Sequence, residues 1–178
     1  MEAAREASGT VPRVDAALAG LEHVWLAPRD GLPAIAIAPA ILRAVLERLK
    51  SRAGFESMTF ISAVDRLPAV PRFELVHQLW SLAHGDRVRL HARLAEGESA
   101  ASCVDLWPGA AYMERECFDM FGIPFDGHAG LKRLLMPDDY GHHPLRKDFP
   151  HQGIEPDRLY REWDRRRRAA WHPREPAR

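Results

Sequence analysis

The chain has 178 residues, 46% of them hydrophobic and 28% charged, a balance that supports one globular domain with a core and excludes a disordered chain. Its 25 lysines and arginines are matched by 25 aspartates and glutamates, so no global basic field draws it to nucleic acid. The longest apolar stretch, Leu32 to Leu42, is broken by Pro33 and Pro39 and falls short of the roughly 18 residues that a membrane helix needs.

The first residues mix Glu2, Arg5, Glu6 and Asp15 with small side chains. They show neither the basic start and apolar run of a secretory signal nor the acid-poor pattern of a transit peptide. Cys103 and Cys117 stand fourteen residues apart. That spacing excludes a disulfide framework, an all-cysteine iron–sulfur site and a zinc ribbon built by this chain alone. Two small, reduced core thiols in a cytoplasmic setting are expected.

Residues 1–20 have no sustained periodicity and are expected to form a loose lead-in. Leu21 to Leu26 and Ala34 to Ala38 read as short strands around the turn-rich Pro28-Arg29-Asp30-Gly31-Leu32-Pro33. Pro39 suits a first helical position. Leu42, Val45, Leu46 and Leu49 then repeat at helical spacing, and Gly54 supplies a left-handed stop. Strand signals follow at Ser57 to Val64, Arg72 to Leu82 and Arg87 to Leu94, the last two joined by Ala83-His84-Gly85-Asp86 into an antiparallel hairpin. Val88, Leu90, Ala92 and Leu94 alternate with Arg89, His91 and Arg93, which predicts one buried and one wet face. His77 and His91 are read as strand-surface or satisfied core residues.

A second helix is expected from Pro108 to Phe121, ended by Gly122, with Ala110, Met113, Cys117, Met120 and Phe121 as its apolar stripe. Tyr112, Arg115, Glu116 and Asp119 are assigned to another face. From Gly122 to Pro150 glycine and proline recur with little periodicity, and a loop of that length is either functional or held down by something else. The order of elements predicts an α+β fold: a two-layer domain over 21–122 with a mixed or antiparallel sheet and two main helices. Residues 123–178 are expected to form a long extended segment that binds partners and ends in an arginine-rich tail.

The stretch from Tyr112 to Pro150 carries most of the information. Glu114-Arg115-Glu116, Asp119-Met120-Phe121-Gly122-Ile123, Phe125, His128, Leu131, Arg133-Leu134-Leu135 and His143-Pro144-Leu145-Arg146-Lys147-Asp148-Phe149-Pro150 closely resemble the signature of the 30 kDa subunit (the C subunit) of respiratory complex I, the NADH:quinone oxidoreductase. Departures are His128-Ala129, where the family usually has His-Pro, and His142-His143-Pro144, where it usually has Gly-His-Pro. The arginine-rich tail looks particular to a subgroup.

The resemblance implies a peripheral-arm subunit with no catalytic centre, cofactor or metal of its own, in a complex that carries FMN, iron–sulfur clusters, NADH and quinone. It implies contact with the quinone-site (49 kDa-type) subunit and the terminal-cluster subunits. It also implies an indirect, peripheral attachment to the membrane, and the missing transit-peptide pattern adds the expectation that this is the cytoplasmic face of a bacterial inner membrane. The residues expected at partner interfaces are Glu114, Arg115, Glu116, Asp119, His128, Arg133, His143, Arg146, Lys147 and Asp148. Prolines 124, 137, 144 and 150 favour an extended path, and arginines on such a path suit desolvated interface pairs.

Other readings of the same residues carry less. Arg115 and Asp119 have the spacing of a helical ion pair, so a surface or interface charge network is expected rather than acid–base catalysis. His128, His142, His143 and His151 lie near Asp126, Asp138, Asp139 and Asp148, but no pair has the i, i+4 spacing of a zinc helix, and His128 and His143 are expected to fix the loop. Residues 157–178 contain eight arginines and four acids; with Tyr160, Trp163 and Trp171 as apolar anchors, a helix docking on a protein is expected rather than RNA or lipid headgroups. The competing assignments are the equivalent subunit of a related membrane-bound hydrogenase or formate-oxidising complex, a stand-alone metallohydrolase and an RNA-binding adaptor.

Overall fold

A computed structural model describes residues 2–27, 30–151, 153–154 and 158–170. The contacts divide the chain into two units, Met1–Arg146 and Lys147–Arg178. In the first unit, α1 (Glu2–Ala17) precedes β1 (Val24–Leu26) and β2 (Ala34–Ile37); a 3-10 turn at Pro39–Ile41 leads into α2 (Leu42–Ser51). Then come β3 (Ser57–Asp65), β4 (Phe73–Ser81), β5 (Asp86–Leu94), β6 (Ala100–Ala101), α3 (Ala110–Phe121) and β7 (Phe125–Asp126).

One sheet has the order β1-β2-β5-β4-β3. It is mixed: β2 runs parallel to β5, whereas β1–β2, β3–β4 and β4–β5 are antiparallel. The predicted hairpin is present, with Ser81 opposite Asp86 and Phe73 opposite Leu94. Val88, Leu90, Ala92 and Leu94 are buried on its inner face. The predicted α2 stripe of Leu42, Val45, Leu46 and Leu49 packs into the same core, each side chain contributing roughly 2 kcal/mol by leaving water. Gly54 takes φ +68° just past the helix, a left-handed stop that favours glycine. The α+β assignment holds.

Three local expectations are corrected. The lead-in is not loose: α1 covers most of it, and Val14, Ala17 and Leu18 reach the core. Buried Asp86, more than seventy positions downstream, accepts hydrogen bonds from Thr10 Oγ1 at 2.5 Å and Arg13 Nη2 at 2.6 Å. Such a tether has no local signature, and Pro12 inside the helix reads as a breaker. The second correction concerns His77, which is fully buried in β4 with no hydrogen-bond partner on either ring nitrogen among the described residues.

The third lies at the expected boundary near residue 122. Residues 123–146 belong to the first unit. β7 pairs in parallel with β6, and the Ala100 and Ser102 amides bond the carbonyls of Pro124 and Asp126, each at 2.9 Å. Two-residue strands are too short to leave a periodic trace.

In the second unit α4 spans Arg158–Ala170, the helix expected of the tail. Arg168 pairs with Asp164 at 2.7 Å, and the Arg167 guanidinium lies 4.9 Å from the Trp163 ring centre. Pro28, Arg29, Asp157, the Tyr160 side chain and Trp171 lie outside the described residues.

Candidate partner-docking site around helix α3

Helix α3 carries Glu114-Arg115-Glu116 and Asp119 along its length. Two of these carboxylates are completely buried, Glu114 and Asp119, and each holds a different stretch of chain. Glu114 accepts from Ser102 Oγ at 2.7 Å and from the Cys103 amide at 2.8 Å, with the Cys103 thiol at 3.3 Å. It fixes the backbone that enters the helix from β6. Burial, the charge of Glu114 and their mutual hydrogen bond push the Cys103 thiol well above the ordinary range. Burial raises Cys117 in the same way, helped by the charge of Glu116.

Asp119 holds the chain that returns after the helix. Its Oδ2 accepts three successive backbone amides, Leu134 at 3.0 Å, Leu135 at 2.7 Å and Met136 at 2.9 Å. Its Oδ1 meets Arg133 Nη1 at 2.7 Å. Burial alone would raise this carboxyl's pKa. The Met136 and Leu135 amides, Arg133 and the Leu134 amide outweigh that, and the net shift is downward. Arg115, half-buried, donates to the carbonyls of Lys132 at 3.1 Å and Arg133 at 2.8 Å. The expected Arg115–Asp119 pair is therefore replaced: both residues grip the 132–136 backbone.

The C-terminal turn of a helix leaves carbonyls without intrahelical donors. Here the His143-Pro144-Leu145-Arg146 segment supplies them. The His143 Nδ1–H donates to Asp119 O at 2.9 Å, the Leu145 amide to Met120 O at 3.1 Å, and Arg146 Nε to Phe121 O at 2.6 Å. Burial lowers the His143 pKa despite that backbone bond, with the Arg146 and Arg133 charges adding to the effect. Gly122, at φ +74°, makes the cap feasible: a Cβ there would lie 2.5 Å from Arg146 Nη2 and 2.6 Å from His143 Nε2.

Arg146 also reaches back to the sheet. Its Nη1 pairs with Glu96 at 2.9 Å, and Glu96 accepts from buried Arg72 at 3.0 Å. Arg72 in turn pairs with Asp65 at 2.8 Å. The guanidiniums of Arg72 and Arg146 lie 5.0 and 5.3 Å from the Phe73 ring centre. Arg146, expected at a partner interface, is thus held by several groups of its own chain.

Of the ten residues expected at interfaces, Arg115, Asp119, Arg133, His143 and Arg146 form one clamp, and Glu114 grips the other side of the same helix. His128 bonds Ala111 O through Nε2 at 3.2 Å and accepts the Gly130 amide on Nδ1 at 3.1 Å, so it fixes the loop as anticipated. Glu116 is exposed on α3, and Lys147 and Asp148 are exposed in the second unit. Sequence reasoning missed Glu96, Ser102, Arg72 and Asp65. The surface of the clamp exposes large apolar side chains, Tyr112, Leu135 and Leu145 at 64%, 65% and 53%, beside the exposed polar Lys132, Asp138, Asp139 and His142. Among the described residues no three His, Cys, Asp or Glu side chains are grouped to hold a metal ion, and no helix is long and apolar enough to cross a membrane.

Residues 35–155 match the family described as respiratory-chain NADH dehydrogenase, 30 Kd subunit. Over 115 residues the chain is 46% identical to the NADH-quinone oxidoreductase C subunit of Citrifermentans bemidjiense, covering 64% of this chain and 70% of that one. Over 121 residues it is 42% identical to the corresponding C subunit of a Ruegeria species, covering 67% and 60%. Among solved structures, a trypsin-resistant fragment of Nqo5 superposes with a TM-score of 0.61 at 24% identity, over 71% of this chain and 99% of the fragment. A chain of the archaeal membrane-bound sulfane sulfur reductase superposes with a TM-score of 0.69 at 21% identity, over 97% of this chain and 96% of that one. Both structures share the fold. With the family pattern spanning four of the five strands of the large sheet, α3 and its clamped segment, the chain belongs to the 30 kDa subunit family of respiratory NADH dehydrogenases, the C subunits of NADH-quinone oxidoreductases.

Proposed function

We propose that this chain is a non-catalytic scaffold of the peripheral arm, holding the quinone-site (49 kDa-type) subunit and the terminal-cluster subunits in register while electrons pass from NADH to quinone. One observation carries the reading. The clamp on α3 ties Arg133, the Leu135 amide and Arg146 of the 131–146 segment internally and leaves the side chains of Leu135 and Leu145 exposed. A segment already fixed in one conformation loses little further entropy when a partner covers it, so apolar contact there translates into affinity.

The chain's donor set suits this role. Its two thiols are buried and held protonated, which makes them poor ligands for an iron–sulfur cluster. FMN, the clusters, NADH and quinone belong to other subunits of the complex, and the chain attaches to the cytoplasmic face of a bacterial inner membrane through them. Glu116 adds an exposed charge on α3 for the same partners, and the second unit separately exposes Lys147 and Asp148.

The fold likeness to a chain of the sulfane sulfur reductase complex favours a second reading, the equivalent subunit of a related membrane-bound complex such as a hydrogenase. Tagged recovery from detergent-solubilised native membranes, followed by mass spectrometry, distinguishes the two. Flavin- and NADH-binding subunits in the eluate support the first; a nickel-binding hydrogenase subunit supports the second. Recovery of the chain alone contradicts both.

A further inference from the structure

The sheet packs its helices against one face, where the side chains of the core converge. Its other face is open to water, and it is not an ordinary polar surface. Phe60 and Val64 of β3 are 49% and 39% exposed, and Val24 and Leu26 of β1, at the far edge, are 59% and 39% exposed. Phe60, Val76, Gln78 and Arg89 line a shallow depression between β3 and β5. Between these apolar borders, β5 presents Arg87, Arg89, His91 and Arg93 at every second position.

The charges on this face do not cancel. Glu74 accepts from Arg66 at 2.6 Å and His91 at 2.6 Å and lies 3.8 Å from Arg93. Asp30 pairs with Arg89 at 2.7 Å. Arg87 lies 5.4 Å from the Trp80 ring centre and has no carboxylate partner among the described residues. Four arginines thus face two carboxylates, leaving an excess of positive charge beside a strip of uncovered apolar surface.

We propose that this face docks an acidic amphipathic helix of another subunit, its apolar stripe covering Phe60, Val64 and Val76 and its carboxylates meeting Arg87 and Arg89. The inference rests on the chain's working inside an assembly. A sheet face with apolar side chains is closed in folded proteins by a helix layer or another sheet, and the sign of the charge selects the occupant. A second copy of the same face would set arginine rows against each other, a juxtaposition that opposes association. The chain's own α4 has six arginines against Glu162 and Asp164, the same sign again. An acidic helix is complementary on both counts.

The test uses the full chain assembled in native membranes, with the photo-cross-linker p-benzoylphenylalanine incorporated at position 60 and, in a parallel preparation, at position 145. Position 60 is expected to cross-link to a helical peptide of another subunit with more Asp and Glu than Lys and Arg. Combining it with Arg87→Glu and Arg89→Glu lowers that yield about tenfold and leaves the position 145 cross-link unchanged, which shows that the variant still folds and assembles. Cross-links from position 60 to a second copy, to lipid or to a neutral or basic peptide overturn the proposal. So does silence at position 60 while position 145 reacts with another subunit, and the scaffold reading then stands. Silence at both positions removes the assembly on which the proposal rests, and the scaffold reading falls with it.

Discussion

Arg146 donates its Nε–H to the carbonyl of Phe121 at 2.6 Å, so the end of α3 is capped by a side chain twenty-five positions downstream. With His143 on Asp119 O and the Leu145 amide on Met120 O, three carbonyls at the end of the helix are satisfied by one returning segment. Arg146→Ala removes the cap, the Glu96 ion pair and the packing on Phe73 together. It is expected to destabilise the isolated chain by about 2 kcal/mol, read as a lower urea midpoint with unchanged slope.

Asp119 is the stronger anchor. Asp119→Ala leaves three backbone amides without their acceptor and removes the carboxylate partner of Arg133, at a cost of about 3–5 kcal/mol. Asp119→Asn keeps the shape and one acceptor oxygen and loses about half as much. Glu116→Ala, on the exposed side of the same helix, is expected to change stability by less than about 0.5 kcal/mol. Chemical denaturation of the three variants checks the order; equal effects at Asp119 and Glu116 contradict a buried anchor.

Gly122→Ala is expected to cost about 2 kcal/mol or more, because φ +74° disfavours any side chain and the new Cβ would press on Arg146 and His143. Limited proteolysis offers a local readout: cleavage within residues 131–146 should accelerate in the variant, while cleavage elsewhere does not.

His77 makes stability depend on pH. Burial lowers its pKa from the ordinary 6.5 to about 4, so the folded protein releases a proton more readily than the unfolded chain. The unfolded state therefore binds more protons between these values. The contribution of His77 is fully present above pH 6.5 and is lost as pH falls toward 4, by about 2 kcal/mol at pH 5. His77→Leu should flatten the melting temperature against pH over that window and raise it at pH 5; an unchanged profile contradicts a neutral, unpartnered imidazole.

How much of this was legible depended on distance along the chain. The α2 stripe from Leu42 to Leu49 and the alternation from Val88 to Leu94 are local patterns whose periods fix both the element and its buried face, and the structure reproduces them. Pro39 and Gly54 mark helix ends through backbone sterics alone. Glu114 and Asp119 look like any helix-surface acids, because what buries them are backbone amides at 103 and 134–136 that carry no residue code. The family resemblance marked Glu114 and Asp119 without indicating that they turn inward. α1 was missed for a related reason: its anchor, Asp86, belongs to the hairpin.

The outward face of the clamped segment is the element that most needs a function. Leu135→Asp with Leu145→Asp, both at exposed positions, should leave the urea midpoint of the isolated chain within experimental error. The most direct measurement is recovery of partner subunits on the tagged chain from detergent-solubilised native membranes, wild type against this double variant. Docking through the clamped segment predicts that the wild type retains the quinone-site subunit and that the folded variant retains about tenfold less. Equal retention by the two would contradict it.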